Sequence, residues 1–144
     1  MTDRCDISEL GYYLNRAFTR LVDDLDRALR DAGIELSHSQ FSILRLLSRS
    51  GSGEMSQREM SKRLGKDPAA ISRAVRYLQS QGFIERRQVS GCKNSVSLTP
   101  KAKSLQPRIE QIIRAVTTDA CREMSSDQIS AGLVFLMGLL KYKP

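Results

Sequence analysis

Ile7, Leu10, Leu14, Ala17, Phe18, Leu21, Leu25 and Ala28 recur at steps of three and four, the spacing of one helical face. They predict a long amphipathic helix over residues 7 to 31, ending near Gly33. Ser37 with Gln40 three residues on has the spacing of a capping box, and Phe41, Leu44 and Leu47 continue at helical intervals toward Gly51, giving a second helix. Ser56 and Glu59 repeat that pattern ahead of Met60 and Leu64, which predicts a short third helix broken by Gly65. Asp67-Pro68 places a side-chain acceptor before a ring that fits a first helical turn. A fourth helix should run from there to about Gln81.

The period then changes. Phe83 to Arg87 is β-prone, Ser90 to Ser95 is rich in turn formers, and Val96-Ser97-Leu98 alternates apolar and polar as a half-buried strand does. This is the pattern of a β-hairpin. Thr99-Pro100 opens a fifth helix with Leu105, Ile109, Ile112, Ile113, Val116 and Ala120 on one face, and Pro107 inside it predicts a kink. Ser125 and Gln128 cap a sixth helix whose apolar run, Ala131 to Leu140, reads as a buried helix. That run is about half the roughly 20 residues a membrane-spanning helix needs, so no membrane partner is expected.

The order of these elements is that of a winged helix-turn-helix. The fold class is therefore mainly α with a small β-hairpin wing, in which the winged helix-turn-helix of residues 37 to 99 is flanked by helices over 1 to 34 and 100 to 144, read as dimerisation helices because their apolar faces are too extensive for a small wing domain to cover. All 144 residues would form a single domain. Stepping about 100° per residue along the fourth helix puts Ile71, Val75 and Leu78 in one narrow sector, facing the core. Ala69, Arg73 and Arg76 fall opposite, with Ala70 and Ser72 on the flanks. Small residues let a helix approach base edges, and arginines can grip guanine or phosphate in bidentate fashion.

Charge strengthens this picture once it is localised. The whole chain carries +7, whereas Ser56 to Lys103 alone holds eleven basic residues against three acids, a net +8. A basic stripe marks a polyanion partner where a basic average would not. Cys5, Cys92 and Cys121 are odd in number and lack CxxC spacing, so free thiols are expected rather than a disulfide framework or a zinc site. His38 has no partner at metal spacing and is read as a surface residue; no metal and no cofactor are expected. The first ten residues lack the apolar run of a secretory signal, which points to the cytoplasm. No paired carboxylates, Cys/His arrangement or glycine-rich phosphate loop suggests an enzyme.

Ser56 to Gly65, Ala70 to Leu78, Gly82-Phe83-Ile84 and Val96 to Thr99, taken in order with long helices on both sides, resemble the MarR family of transcription regulators. The resemblance implies a homodimer whose terminal helices interlock. Each fourth helix would enter a major groove of duplex DNA and each hairpin would lie at a minor groove. Candidate DNA contacts are Ser56, Gln57, Lys66, Pro68, Ala69, Ala70, Ser72, Arg73, Arg76, Arg87, Lys93 and Asn94. Two departures stand out. Ser90-Gly91-Cys92 replaces the Asp-x-Arg frequent in the family's wing, leaving Lys93 or Asn94 as substitutes, and Gly11 stands where the hydroperoxide-sensing branch has its reactive cysteine.

The expected function is a sequence-specific regulator acting on a near-palindromic operator, a repressor modulated by a small ligand. Tyr12, Tyr13 and Arg16 are candidates to line an effector pocket, or simply to pack. Cys92 beside Lys93 is a candidate redox sensor against an incidental cysteine, and Cys121 should be buried at the dimer seam. The competing function is a winged-helix protein-interaction module without DNA binding, because that fold can lose its nucleic-acid role.

Overall fold

A computed structural model describes residues 6–87 and 95–143, with Arg87 described by its backbone. After a 3-10 turn (Ile7–Glu9) come α1 (Leu10–Asp31), α2 (His38–Ser48), β1 (Glu54–Ser56), α3 (Gln57–Leu64), α4 (Pro68–Ser80), β2 (Ile84–Arg87), β3 (Ser95–Leu98), α5 (Pro100–Ala120) and α6 (Ser126–Lys141). The fold is mainly helical with a small antiparallel sheet, as the pattern of the chain predicts.

Local chemistry accounts for most helix starts. At Ser37 and Ser125 both bonds of the capping box form, each serine accepting from the backbone N–H three residues on while Gln40 or Gln128 reaches back. Thr99 caps α5 by accepting from the Ala102 N–H at 3.3 Å. Two expected caps differ. Ser56 accepts from the Glu59 N–H at 3.2 Å, but the Glu59 carboxylate turns along its own helix to Arg63 at 2.7 Å, so only half of that box exists. Asp67 makes no side-chain cap bond, leaving Pro68, whose missing N–H costs nothing in a first turn, as the start signal of α4.

The sheet has one strand more than the hairpin expected from sequence. β1 pairs with β3, Met55 opposite Val96, and β2 pairs with β3 on its other edge, Ile84 opposite Leu98. β3 is thus the central strand, and all four of its residues are buried, Ser95 and Ser97 included. The alternation of Val96-Ser97-Leu98 therefore does not mark a half-exposed strand. Pro107 lies inside α5, which runs without interruption from Pro100 to Ala120.

The core is built where α2, α4, the sheet, the end of α1 and the first two thirds of α5 converge. Leu29, Leu44, Leu47, Met60, Val75, Leu78 and Ala102 are fully buried. Of the 22 residues of α1 only Leu25 and Leu29 are buried. In α6 none is, although Leu133 to Leu140 are nearly all apolar; the helix read as buried from sequence lies open in the single chain.

Between α3 and α4 the backbone reverses at Gly65, in the left-handed region at φ 60° and ψ 33°. Its N–H and that of Lys66 both return to the Ser61 carbonyl, closing the helix end. Among the described residues, nothing beyond Gly65 and its chain neighbours lies within 4 Å of where a Cβ would stand, so only backbone strain opposes a side chain there. Gly65→Ala is expected to cost about 1–2 kcal/mol, the left-handed penalty of an L-residue, read as a lower midpoint in urea with an unchanged slope. No shift in the midpoint would mean the turn relaxes to another conformation.

Candidate nucleic-acid interface

The Gly65 turn sets α4 against α3 and α2, and Ile71, Val75 and Leu78 anchor it to the core. The opposite face is open: Pro68, Ala69, Arg73 and Arg76 are exposed, with Ala70 and Ser72 half-buried at its borders. Among the described residues, no carboxylate lies within ion-pair distance of Arg73 or Arg76. Two guanidiniums thus project from a surface of small side chains, free to meet an external anion.

Neighbouring elements extend this face unevenly. Ser56 and Gln57, at the start of α3, are half-buried, and Ser56 is committed to its cap. Lys66, in the turn, is half-buried, and its carbonyl accepts from the Ser61 hydroxyl. Arg58 and Lys62 are exposed on α3 with no acidic partner among the described residues; they belong to the basic stripe but were not among the contacts expected from sequence. Spacing alone could have found them, since both lie off the Met60 and Leu64 face. Three other cations of the stripe are engaged by the protein itself. Arg63 pairs with Glu59, Arg86 donates to the Gln79 side-chain oxygen at 3.2 Å, and Lys101 donates to the Gln81 carbonyl at 2.7 Å. Cys92, Lys93 and Asn94 lie outside the described residues, as does the Arg87 side chain.

Residues 36–91 match the family model of the MarR family. The chain thus resembles the MarR family over its helix-turn-helix. The match runs from α2 through β2 and so contains the whole of α3 and α4; the MarR-type arrangement of β3 and the outer helices is shared through the fold. A MarR-family transcriptional regulator from Rhodococcus sp. RHA1 superposes with a TM-score of 0.84 over 96% of this chain and 99% of that one, at 18% identity. BpsR of Bordetella bronchiseptica, whose DNA binding is regulated by 6-hydroxynicotinic acid, gives 0.83 over 96% and 98%, at 20% identity. The transcriptional regulator PA3341 gives 0.77 over 91% and 95%, at 26% identity. No curated protein matches the chain.

Tyr12 and Tyr13 stand edge to face on α1 with ring centroids 5.4 Å apart, both more than half exposed. Arg16 donates to the Tyr12 hydroxyl at 3.0 Å and lies 5.7 Å from that ring. The three residues are brought together, but on an open helix face rather than in a cavity of the single chain. Cys121, at the end of α5, is half-buried beside Ala17 and Leu21 of α1. No helix is long and apolar enough to cross a membrane, and no cluster of metal-ligating side chains occurs among the described residues.

His38 departs from the surface position expected of it. Its ring sits edge-on between Phe18 of α1 at 5.7 Å and Phe41 of α2 at 5.1 Å. Burial pushes its pKa below the ordinary 6.5; Asp26 opposes the shift and Lys66 adds to it. The folded state thus binds fewer protons than the unfolded chain, so this contribution to stability is whole above about pH 6.5 and declines as the pH falls through that value toward the lower folded pKa. His38→Gln should flatten the loss of stability between pH 7.5 and 5.5, measured by urea unfolding at one protein concentration. An unaltered slope would assign the acid sensitivity to other groups.

Proposed function

We propose that this chain is a sequence-specific, DNA-binding transcription regulator that acts as a homodimer on a near-palindromic operator, as a repressor modulated by a small ligand. The observation that carries the reading is the outward face of α4, where small residues surround two arginines with no acidic partner among the described residues. A face evolved only for solvent would mix acids with bases. Residues 37 to 99 are the DNA-binding portion, and Ser56, Gln57, Lys66, Pro68, Ala69, Ala70, Ser72, Arg73, Arg76, Arg87, Lys93 and Asn94 are its proposed contacts. Arg58 and Lys62 join them as phosphate partners.

Dimerisation through residues 1 to 34 and 100 to 144 is supported by the open apolar surface of α6, since a helix apolar around its whole circumference is normally covered. Regulation by a ligand is supported by the likeness to BpsR. Arg16 held against Tyr12 offers a cation beside aromatic faces, suited to a small aromatic carboxylate once a partner protomer walls in the exposed side.

The test is in vitro selection on random duplexes, followed by titration of the enriched site at several salt concentrations. The reading requires a site with dyad symmetry, half-sites about one helical turn apart or a multiple of that, and affinity that falls steeply with salt. Failure to enrich any duplex would favour a winged-helix module that binds only protein.

A further inference from the structure

Three side-chain donors join α4, the loop between α1 and α2, and α5, and each bonds a main-chain carbonyl. Tyr77, near the end of α4, donates its hydroxyl to the Glu35 carbonyl at 3.1 Å. Arg108 of α5 donates Nη2 to the Ala32 carbonyl at the end of α1, at 2.8 Å. Lys101, in the first turn of α5, donates Nζ to the Gln81 carbonyl at the end of α4, and its ammonium stands 4.6 Å from the Phe83 ring centroid. The links close a triangle around a cleft of about 450 Å³ walled by Glu35, Gln81, Phe83, Lys101 and Arg108.

The chemistry of these links suits a fixed geometry. Carbonyls at helix C-termini have no intrahelical partner and carry the negative end of the helix dipole, so Lys101 and Arg108 meet acceptors that α4 and α1 cannot themselves satisfy. The core holds α4 along one face, Ile71, Val75 and Leu78 with Ala74 and Tyr77 packed at its edge, and an apolar face leaves some freedom to pivot. All three links engage α4, or the elements it is tied to, near its C-terminal end, whereas Ala69 to Arg73 lie toward its N-terminal end. A helix of 13 residues is about 20 Å long, so a pivot of about 10° at the tethered end moves the other by about 3 Å. That is the scale of a base-pair step.

We infer that Tyr77 and Lys101 are positioning residues: through the Glu35 and Gln81 carbonyls they hold the pitch of α4 against the loop between α1 and α2 and against α5, which Arg108 ties to the end of α1, and with it the separation of the two reading helices in a dimer. The inference rests on the DNA-binding reading above, but assigns these residues no contact with DNA. Lys101 in particular leaves the set of cations available to phosphate.

The experiment compares the full-length wild type with Tyr77→Phe, Lys101→Met, Lys101→Gln and the Tyr77→Phe, Lys101→Met double variant. Each is read by the half-site spacing it selects, its affinity ratio for operator over random duplex, its salt slope, and amide exchange in the free protein. Tyr77→Phe removes no charge and keeps the ring, so its fold should persist. It should broaden the accepted spacing and lower the ratio by about threefold to tenfold, the scale of one hydrogen bond, and the double variant should lower it further. Lys101→Gln, whose amide can still donate to the Gln81 carbonyl, should recover part of what Lys101→Met loses, with the salt slope unchanged in both. Exchange at Phe83 and in residues 32 to 36 should quicken while the core stays protected. Spacing and ratio equal to wild type in Tyr77→Phe and the double variant would overturn the inference. So would a salt slope lowered equally by Lys101→Met and Lys101→Gln, which would make Lys101 a phosphate contact. A wild type that selects no duplex would instead overturn the DNA-binding reading, and this inference with it.

Discussion

Leu136→Asp is expected to convert the proposed dimer to monomers and to abolish binding to the proposed operator. Leu136 lies mid-way along the apolar run of α6, where Leu133, Phe135, Met137 and Leu140 are also exposed in the single chain. Covering a leucine side chain is worth about 1.5–3 kcal/mol, and an aspartate at the same place adds a desolvated charge without a partner, several kcal/mol more. A two-fold interface meets the change twice. The combined loss should exceed about 6 kcal/mol, which raises the dissociation constant by about four orders of magnitude. Sedimentation at micromolar concentration would read it, with circular dichroism confirming that the helices persist. A wild type that sediments as a monomer, or a variant that remains dimeric, would place the covering of α6 elsewhere.

The elements of this fold that could be read from the chain are those whose cause is local. Ser37 with Gln40, Ser125 with Gln128, and Thr99 with Pro100 act within one turn, and each helix begins where those residues say it should. The elements that could not be read depend on distant partners. β1 is three residues long, too short for alternation to register, and exists only because β3 offers it an edge some forty residues later. Val96-Ser97-Leu98 misled for a related reason: β3 is the central strand, and Ser95 and Ser97 are covered along with Val96 and Leu98, which its own alternation does not reveal. His38 is a polar residue between two serines, and nothing nearby in sequence shows that Phe18, on another helix, closes over its ring. At Ser56, two local partners compete for Glu59; the ion pair to Arg63 wins over the reciprocal cap bond.

The candidate interface divides along the same line. The face of α4 follows from helical periodicity, so Arg73 and Arg76 could be placed outward before any coordinates. Which cations of the basic stripe remain available could not. Arg86 and Lys101 count equally with Arg73 in a sum of charges, yet they are spent on Gln79 and on the Gln81 carbonyl, contacts that need the hairpin and α5 folded against α4. Net charge located the face; the tertiary structure decides which members of it are free.

Arg73→Ala should produce the second large loss, and its pattern across sequences matters more than its size. Arg73 is the sixth residue of α4, Arg76 the ninth. In a helix that enters the major groove by its N-terminal part, the earlier position reaches base edges and the later one meets the backbone. An arginine bidentate to guanine is worth about 1–3 kcal/mol of discrimination, and a two-fold complex contains two of them, so the operator should weaken by about 2–6 kcal/mol. Preference should flatten at one position in each half-site, while affinity for random duplex changes little beyond the loss of one charge per protomer. Arg76→Ala should instead weaken all duplexes alike and reduce the steepness of the salt dependence. Measuring both variants on the selected operator, on single-base variants of it and on random duplex, at several salt concentrations, separates the two roles. Uniform weakening by Arg73→Ala would reassign that side chain to phosphate, and a silent Arg76→Ala would remove it from the interface.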